Sequence, residues 1–74
     1  MTANWYEIWV SEALDDRWGQ WFDGMEIVSA GGKYPEAGTI LKGWMPDQEA
    51  LFGVLRQIRN LNLTLVEVKR VSDH

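Results

Sequence analysis

The stretch Trp-Tyr-Glu-Ile-Trp-Val-Ser at residues 5–11 decides the fold of this chain. Aromatic and β-branched side chains dominate it, which favours a β-strand. Side chains alternate between the two faces of a strand. One face therefore carries Tyr6, Ile8 and Val10, and the other carries Trp5, Glu7 and Trp9. Because both faces are largely apolar, the stretch predicts a central strand that is covered on both sides.

Five further elements are predicted outward from this strand. Helical spacing of Leu14, Trp18, Trp21 and Phe22 predicts a short helix over 14–22. Alternation predicts strands over 25–30 and 39–45, joined by a Gly- and Pro-containing hairpin loop over 31–38. A second, longer helix is expected to open at Pro46-Asp47-Gln48-Glu49 and to carry Leu51, Val54, Leu55, Ile58 and Leu61 on one side. A last strand is predicted over 65–71.

Particular residues mark the expected helix ends. Asp15 and Asp16 are candidates for capping the first helix, and Gly24 is a suitable stop after it. Pro46 suits the first position of the second helix, because that position needs no backbone N–H donor. Asn62 is suited to a left-handed cap at the end of the second helix.

The resulting order, β-α-β-β-α-β, predicts an α+β fold of the ferredoxin-like type. We expect one domain over residues 1–74, with tails at 1–4 and 72–74. The expected sheet has four strands in the order 4-1-3-2, with the first and third strands parallel in the middle. Both helices are expected on one face of the sheet.

A core between the helices and the sheet leaves the second sheet face open. The predicted core contains Tyr6, Ile8, Val10, Leu14, Trp18, Trp21, Phe22, Met25, Ile27, Leu41, Leu51, Leu55, Ile58, Val66 and Val68. The predicted open face contains Trp5, Glu7, Trp9, Val28, Ile40, Lys42, Trp44, Leu65, Glu67 and Lys69. Each Trp can bury about 150–250 Å², so this face is too apolar to remain solvated. The sequence therefore predicts that something covers it.

Composition excludes several classes of function. Seven basic against eleven acidic residues give a net charge of −4, which disfavours a nucleic-acid binder. The chain has no Cys and one His, at position 74, so thiolate or histidine metal clusters and a catalytic triad are not expected. No cofactor is expected. The polar start and the short apolar runs predict neither a signal peptide nor a membrane span, so we expect a cytoplasmic protein without a membrane partner.

The chain resembles a family of small uncharacterised bacterial proteins over residues 6–71. The shared pattern comprises Tyr6-Glu7-Ile8 with Val10, Arg17-Trp18, Trp21-Phe22, Leu41 with Gly43, Pro46-Asp47-Gln48, Ala50-Leu51, Gly53, Leu55, Ile58-Arg59, Leu61 and Val68. The resemblance implies no particular activity. The chain departs from the pattern at Asn62, where Gly is expected. It also carries Trp5, Trp9 and Trp44 where the pattern demands no aromatic residue.

Three functions are compatible with the open face. The first is a non-enzymatic module that forms homodimers through this face, and the second is a small-molecule-binding or sensory domain for an apolar or planar ligand. The third, by analogy of fold alone, is a cofactor-independent enzyme of the dimeric α+β barrel type, such as a monooxygenase or isomerase. The candidate interface or ligand-binding residues are Trp5, Glu7, Trp9, Val28, Ile40, Trp44 and Leu65.

Glu7 has two interpretations. A carboxylate flanked by indoles can act as a general base with a raised pKa. Alternatively, Glu7 forms a cross-strand ion pair with Lys42 or Lys69. The second interpretation is favoured, and no catalytic residue is assigned.

Overall fold

The computed structural model describes residues 4–22, 24–31 and 37–71. Its elements are β1 (Asn4–Val10), a 3₁₀ helix (Asp16–Trp21), β2 (Glu26–Ser29), β3 (Thr39–Met45), α1 (Gln48–Asn60) and β4 (Leu65–Val71). The four strands form one sheet in the order β2-β3-β1-β4. Most of the predicted hairpin loop, at 32–36, and the tails at 1–3 and 72–74 lie outside the described residues.

The predicted strand order is confirmed, but the predicted parallel pairing of the first and third strands is wrong. β1 and β3 pair antiparallel, as do β2 with β3 and β1 with β4. The reason is topological. β3 returns from β2 through a hairpin and therefore opposes it, and β2 runs in the direction of β1. A strand inserted between β1 and β2 must oppose both of them.

The segment predicted as the first helix is a 3₁₀ helix of six residues rather than an α-helix. Asp15 caps it as predicted, because its carboxylate accepts a hydrogen bond from the Arg17 N–H at 3.1 Å. The Arg17 guanidinium also donates to this carboxylate and holds the pKa of Asp15 below its usual value. Gly19 lies in the middle, and so short a segment cannot repay the cost of nucleating an α-helix. The described chain therefore has one α-helix, and the expected two-helix arrangement is not established.

Both ends of α1 are fixed by local hydrogen bonds. The N-cap is Asp47, whose Oδ1 accepts a hydrogen bond from the Ala50 N–H at 2.9 Å. Pro46 was predicted at the first helical position, but it precedes the cap. At the other end Asn62 has a left-handed φ of 65°, as predicted. The Asn62 N–H donates to the Arg59 carbonyl, and the Leu63 N–H donates to the Ile58 carbonyl. This is a Schellman motif, in which the left-handed residue lets two carbonyl groups of the last turn find donors.

The core lies between α1, the 3₁₀ helix and one face of the sheet. Its buried side chains are Tyr6, Ile8, Val10, Phe22, Leu41, Met45 and Ile58. Three residues predicted for this core are exposed instead: Trp21 at 48%, Val66 at 49% and Val68 at 37%. Trp21 is the last residue of the short 3₁₀ helix. The two valines lie on the outer strand β4, whereas α1 contacts β3 more than any other strand.

Hydrogen bonds join the β1 end to the strands on either side of it. The buried Thr39 hydroxyl accepts from the Leu14 N–H and donates to the Glu12 carbonyl, both at 2.8 Å. The Glu12 carboxylate in turn accepts from the Thr64 N–H at 2.8 Å. This backbone hydrogen bond holds the pKa of Glu12 below its ordinary value. The segment after β1 is thus tied to β3 by Thr39 and to the start of β4 by Glu12.

Replacing Glu12 should make the free energy of unfolding less dependent on pH in the acidic range. Because the folded-state pKa of Glu12 is lowered, its contribution is present above the unfolded-state pKa and is lost as pH falls through the folded-state value. We expect Glu12→Gln to lower the free energy of unfolding by about 0.5–1 kcal/mol at pH 7. The difference from wild type should shrink below about pH 4. Urea unfolding across this pH range measures it. Glu49→Gln removes the same charge from an exposed position on α1 and is the control, so an equal effect of both variants contradicts the role of Glu12.

The left-handed conformation of Asn62 predicts opposite effects for two substitutions. Asn62→Gly should leave stability unchanged or slightly raised, because glycine adopts positive φ without strain. Asn62→Ile should cost about 1–2 kcal/mol, because its branched side chain clashes in this region. Urea unfolding followed by circular dichroism compares the two. Equal stability of both variants would show that the Schellman turn does not constrain this position.

Candidate functional site

Strand register arranges the open face in three rows that cross the sheet. The open face consists of the β1 side chains that point away from the buried ones, together with the side chains that pair with them on the other strands. Its members are Trp5, Glu7, Trp9, Glu26, Val28, Ile40, Lys42, Trp44, Glu67, Lys69 and Val71. α1 and the 3₁₀ helix contribute the side chains that pack against the opposite face of the sheet.

The first row is aromatic. Trp5 pairs with Trp44 across β1 and β3, and Val71 of β4 extends the row on the other side of Trp5. The two indole rings meet edge to face, with centroids 5.8 Å apart and an interplanar angle of 64°. Trp5 remains 42% exposed and Trp44 50% exposed. The pair is therefore held in a defined geometry and still presents much of its apolar surface to the outside.

The second row consists of charges that alternate in sign. Glu26, Lys42, Glu7 and Lys69 follow one another across β2, β3, β1 and β4. The Lys42 ammonium lies 3.8 Å from the Glu7 carboxylate, which confirms the predicted cross-strand ion pair. Opposite charges on directly facing strand positions stabilise the pairing of the strands. Glu26 was not among the predicted residues of the open face, although its place follows from pairing with Lys42.

The third row is apolar over three strands and acidic on the fourth. Val28, Ile40 and Trp9 cross β2, β3 and β1, and Glu67 of β4 completes the row. Val28, Ile40 and Trp9 are each partly buried. Between the second and third rows lies a shallow depression of about 200 Å³, lined by Glu7, Trp9, Ile40, Glu67 and Lys69.

The Trp9 ring is anchored by the loop that precedes β3. Its indole N–H donates to the Ala37 carbonyl at 3.1 Å. Gly38 follows with φ 112°, and a Cβ at that position would lie 2.3 Å from the Val10 carbonyl oxygen and 2.8 Å from Trp9 Nε1. Only glycine fits this left-handed, close-packed position. Gly38 thus holds Trp9 and the end of β1 in place, which sequence reasoning did not detect.

Leu65 is the predicted site residue that does not join a row. The register between β1 and β4 shifts between Trp9 and Val10, and Leu65 lies opposite Val10, whose side chain is in the core. Leu65 itself is exposed. The structure therefore brings together six of the seven candidate residues, which are Trp5, Glu7, Trp9, Val28, Ile40 and Trp44.

A second cleft lies toward the helices, with a volume of about 400 Å³. Trp21, Met25, Met45 and Val54 are among its lining residues, and Gln57 gives it an amide group. Trp44 at the end of β3 also reaches it. The cleft exists because Trp21 projects outward instead of filling the core.

Among residues 4–22, 24–31 and 37–71, no three His, Asp or Glu side chains lie close enough to hold a metal ion. In the same residues no helix has the length and hydrophobicity needed to cross a bilayer.

A family model described as a domain of unknown function (DUF8691) matches residues 5–69. The chain belongs to this family. The match covers all four strands except the first residue of β1 and the last two of β4, and it agrees with the resemblance to small uncharacterised proteins. Neither the curated proteins nor the solved structures contain a match to the chain.

Two glycine substitutions test the anchoring of Trp9. Gly38→Ala should destabilise the fold by more than about 2 kcal/mol, because the added Cβ clashes with backbone at a left-handed φ. Gly53→Ala is the matched control. A Cβ there meets nothing within 4 Å, and alanine favours the helix by about 1 kcal/mol. Thermal unfolding should place the two variants on opposite sides of wild type. An unchanged melting temperature for Gly38→Ala would show that the loop before β3 does not constrain Trp9.

Proposed function

We propose that the protein is a non-enzymatic interaction module that forms homodimers through its open face. The observation that carries the proposal is the Trp5–Trp44 pair, two half-exposed indoles fixed edge to face on an otherwise well-paired sheet. Large aromatic side chains give much contact area at a small entropic cost, which is why they dominate protein interfaces. With Trp9, Ile40 and Val28 they form an apolar surface on both sides of the charge row.

The size of the domain supports self-association. A chain of 74 residues buries by itself only about 60% of the surface that its unfolded chain exposes, less than a larger domain does, so its margin of stability is narrow. A second copy stacked on the open face would provide β1 with apolar neighbours on both sides. Two stacked sheets pack about 10 Å apart, as in a β-sandwich.

The charge row specifies how two copies can stack. A two-fold axis that lies between the sheets and runs along the strands, between β3 and β1, places Glu7 opposite Lys42 of the second copy. The same axis places Glu26 opposite Lys69 and Trp5 opposite Trp44. An axis at right angles to the strands would instead place each charge opposite its own copy, and like charges that face each other are destabilising. The proposed dimer therefore has its two-fold axis parallel to the strands.

A small-molecule site is the second candidate function. The depression between Glu7 and Trp9 favours it, because charged groups and an indole converge there. Its volume of about 200 Å³ is below the usual range of ligand pockets, which begins near 300 Å³. A planar ligand in this depression would therefore need a second copy to enclose it. No observation in the described residues favours the enzymatic alternative.

Substitution of Trp44 tests the proposed interface. Trp44→Glu places a charge within the apolar part of the contact, where burial without a partner is costly. We expect it to lower the sedimentation coefficient to that of a smaller assembly, while circular dichroism shows an intact fold. Trp44 is better suited to this test than Trp9, whose indole also supports the monomer through Ala37.

Phe52→Glu is the matched control for this experiment. Phe52 is an equally exposed aromatic residue on α1, away from the open face. The Phe52→Glu variant should sediment like wild type. A wild-type monomer at high micromolar concentration, with the indoles of the open face accessible to a fluorescence quencher, would contradict the proposal.

A further inference from the structure

β4 is the outer strand of the described sheet, and its only described neighbour is β1. Residues 65–70 are all exposed, and Val71 is partly buried. Val66 and Val68 belong to this exposed set although their alternation predicts a core position. An outer strand also presents a line of backbone N–H and C=O groups on its free side. β4 thus offers both unpaired hydrogen-bonding groups and uncovered apolar side chains.

The sequence of β4 is complementary to itself. Leu-Val-Glu-Val-Lys-Arg-Val at residues 65–71 has Val68 at its centre, with Glu67 on one side and Lys69 on the other. When two such strands run antiparallel with Val68 opposite Val68, Glu67 of each copy faces Lys69 of the other.

Neighbouring registers lack this complementarity. In such a pair the two copies are related by a two-fold axis perpendicular to the sheet, and residues that face each other must lie on the same side of the sheet. Each allowed register therefore has one residue of β4 on the axis, opposite its own copy. If Glu67 lies on the axis, two glutamates face each other, and if Lys69 lies there, two lysines do. Like charges directly opposite each other destabilise a strand pair. Among these three registers, only the one centred on Val68 places no like charges opposite each other.

The same register extends the charge row of the open face by one residue. Within one copy the row ends at Lys69. In the paired edge, Glu67 of the second copy follows Lys69 with the opposite sign, and Trp9 of that copy lies next to it. The open faces of both copies would then form one continuous surface.

We infer that β4 pairs antiparallel with β4 of a second copy, with Val68 opposite Val68, to join two four-stranded sheets edge to edge. This interface is separate from the open face and does not depend on the proposed function. Charged residues on outer strands can also serve to prevent pairing, and the experiment below distinguishes that role.

Disulfide trapping tests the register directly, because the chain has no Cys of its own. Opposite Cα atoms in an antiparallel pair lie about 4.5–5.5 Å apart, within the range that a disulfide spans. Val68→Cys under mild oxidation should therefore give covalent dimers on a non-reducing gel. Stacked open faces leave about 10 Å between sheets, too far for this bond, so the result does not depend on that interface.

Val66→Cys is the matched control, since Val66 is a valine of the same strand and is at least as exposed as Val68. In the inferred register, position 66 of one copy lies four residues along the strand from position 66 of the other copy, roughly 13 Å away. It should form dimers on the order of tenfold more slowly than Val68→Cys. A mixture of Val66→Cys and Arg70→Cys should form the mixed dimer, because these positions face each other.

Charge exchange provides the second measurement. Glu67→Lys in the Val68→Cys background should slow disulfide formation, because lysines then face each other across the edge. Trp44→Glu should leave the rate unchanged, because Trp44 lies on the open face and not at the β4 edge. Equal rates for Val68→Cys and Val66→Cys, in chains shown by circular dichroism to be folded, would overturn the inference and assign Lys69 and Arg70 to the protection of an unpaired edge.

Discussion

The structure depends on β1 being a central strand with apolar side chains on both faces. Ile8 and Val10 are fully buried on one face, and Trp5 and Trp9 occupy the other. β3 and β4 supply hydrogen bonds on both sides of β1, which satisfies its backbone groups. The helices can cover only one face of the sheet. The open face and the exposed edge of β4 are the surfaces that this arrangement leaves uncovered.

The open face combines apolar anchors with charges that fix direction. The indoles of Trp5 and Trp44 provide contact area, but apolar surface alone does not specify how two molecules are oriented. The alternating row from Glu26 to Lys69 adds that information, because it is complementary to itself in only one of the two simple arrangements. Within a single chain the same row stabilises strand register through the Glu7–Lys42 pair. In the proposed dimer, one set of residues would therefore serve both folding and recognition.

β4 shows how an incomplete helical layer creates a second surface. α1 lies mainly over β3, and the segment before β2 forms a short 3₁₀ helix in place of a second α-helix. The 3₁₀ helix packs against β2, at the opposite edge of the sheet from β4. Val66 and Val68 are left exposed on a strand whose free edge carries a self-complementary sequence. The exposed edge and the open face share β4 residues Glu67 and Lys69, so assembly through one would extend the other.

Much of the candidate site could be predicted, because strand alternation has a strict period of two. Once residues 5–11 were assigned as a strand, Trp5, Glu7 and Trp9 had to share a face, and Trp44 and Ile40 followed from the strand over 39–45. Leu65 could not be placed correctly, since a register shift between strands leaves no signal in the alternation of one strand. The anchoring of Trp9 by the Ala37 carbonyl was also missed, because it joins a strand residue to a loop residue 28 positions away, and the loop has no periodicity.

The sequence by itself determined the presence of the four strands and of α1, the bounds of β3 and β4 and the left-handed turn at Asn62, since these depend on neighbouring residues and on backbone sterics. It did not determine that the segment before β2 forms a 3₁₀ helix. It did not determine the direction of β1 against β3, the identity of Asp47 as the cap of α1, or the exposure of Trp21, Val66 and Val68. Tertiary structure decided these, because burial depends on where a helix lies over the sheet and not on the alternation of one strand. The links from Glu12 to Thr64 and from Thr39 to Leu14 span 52 and 25 positions. Such contacts exist only after the chain has folded, so no local pattern could reveal them.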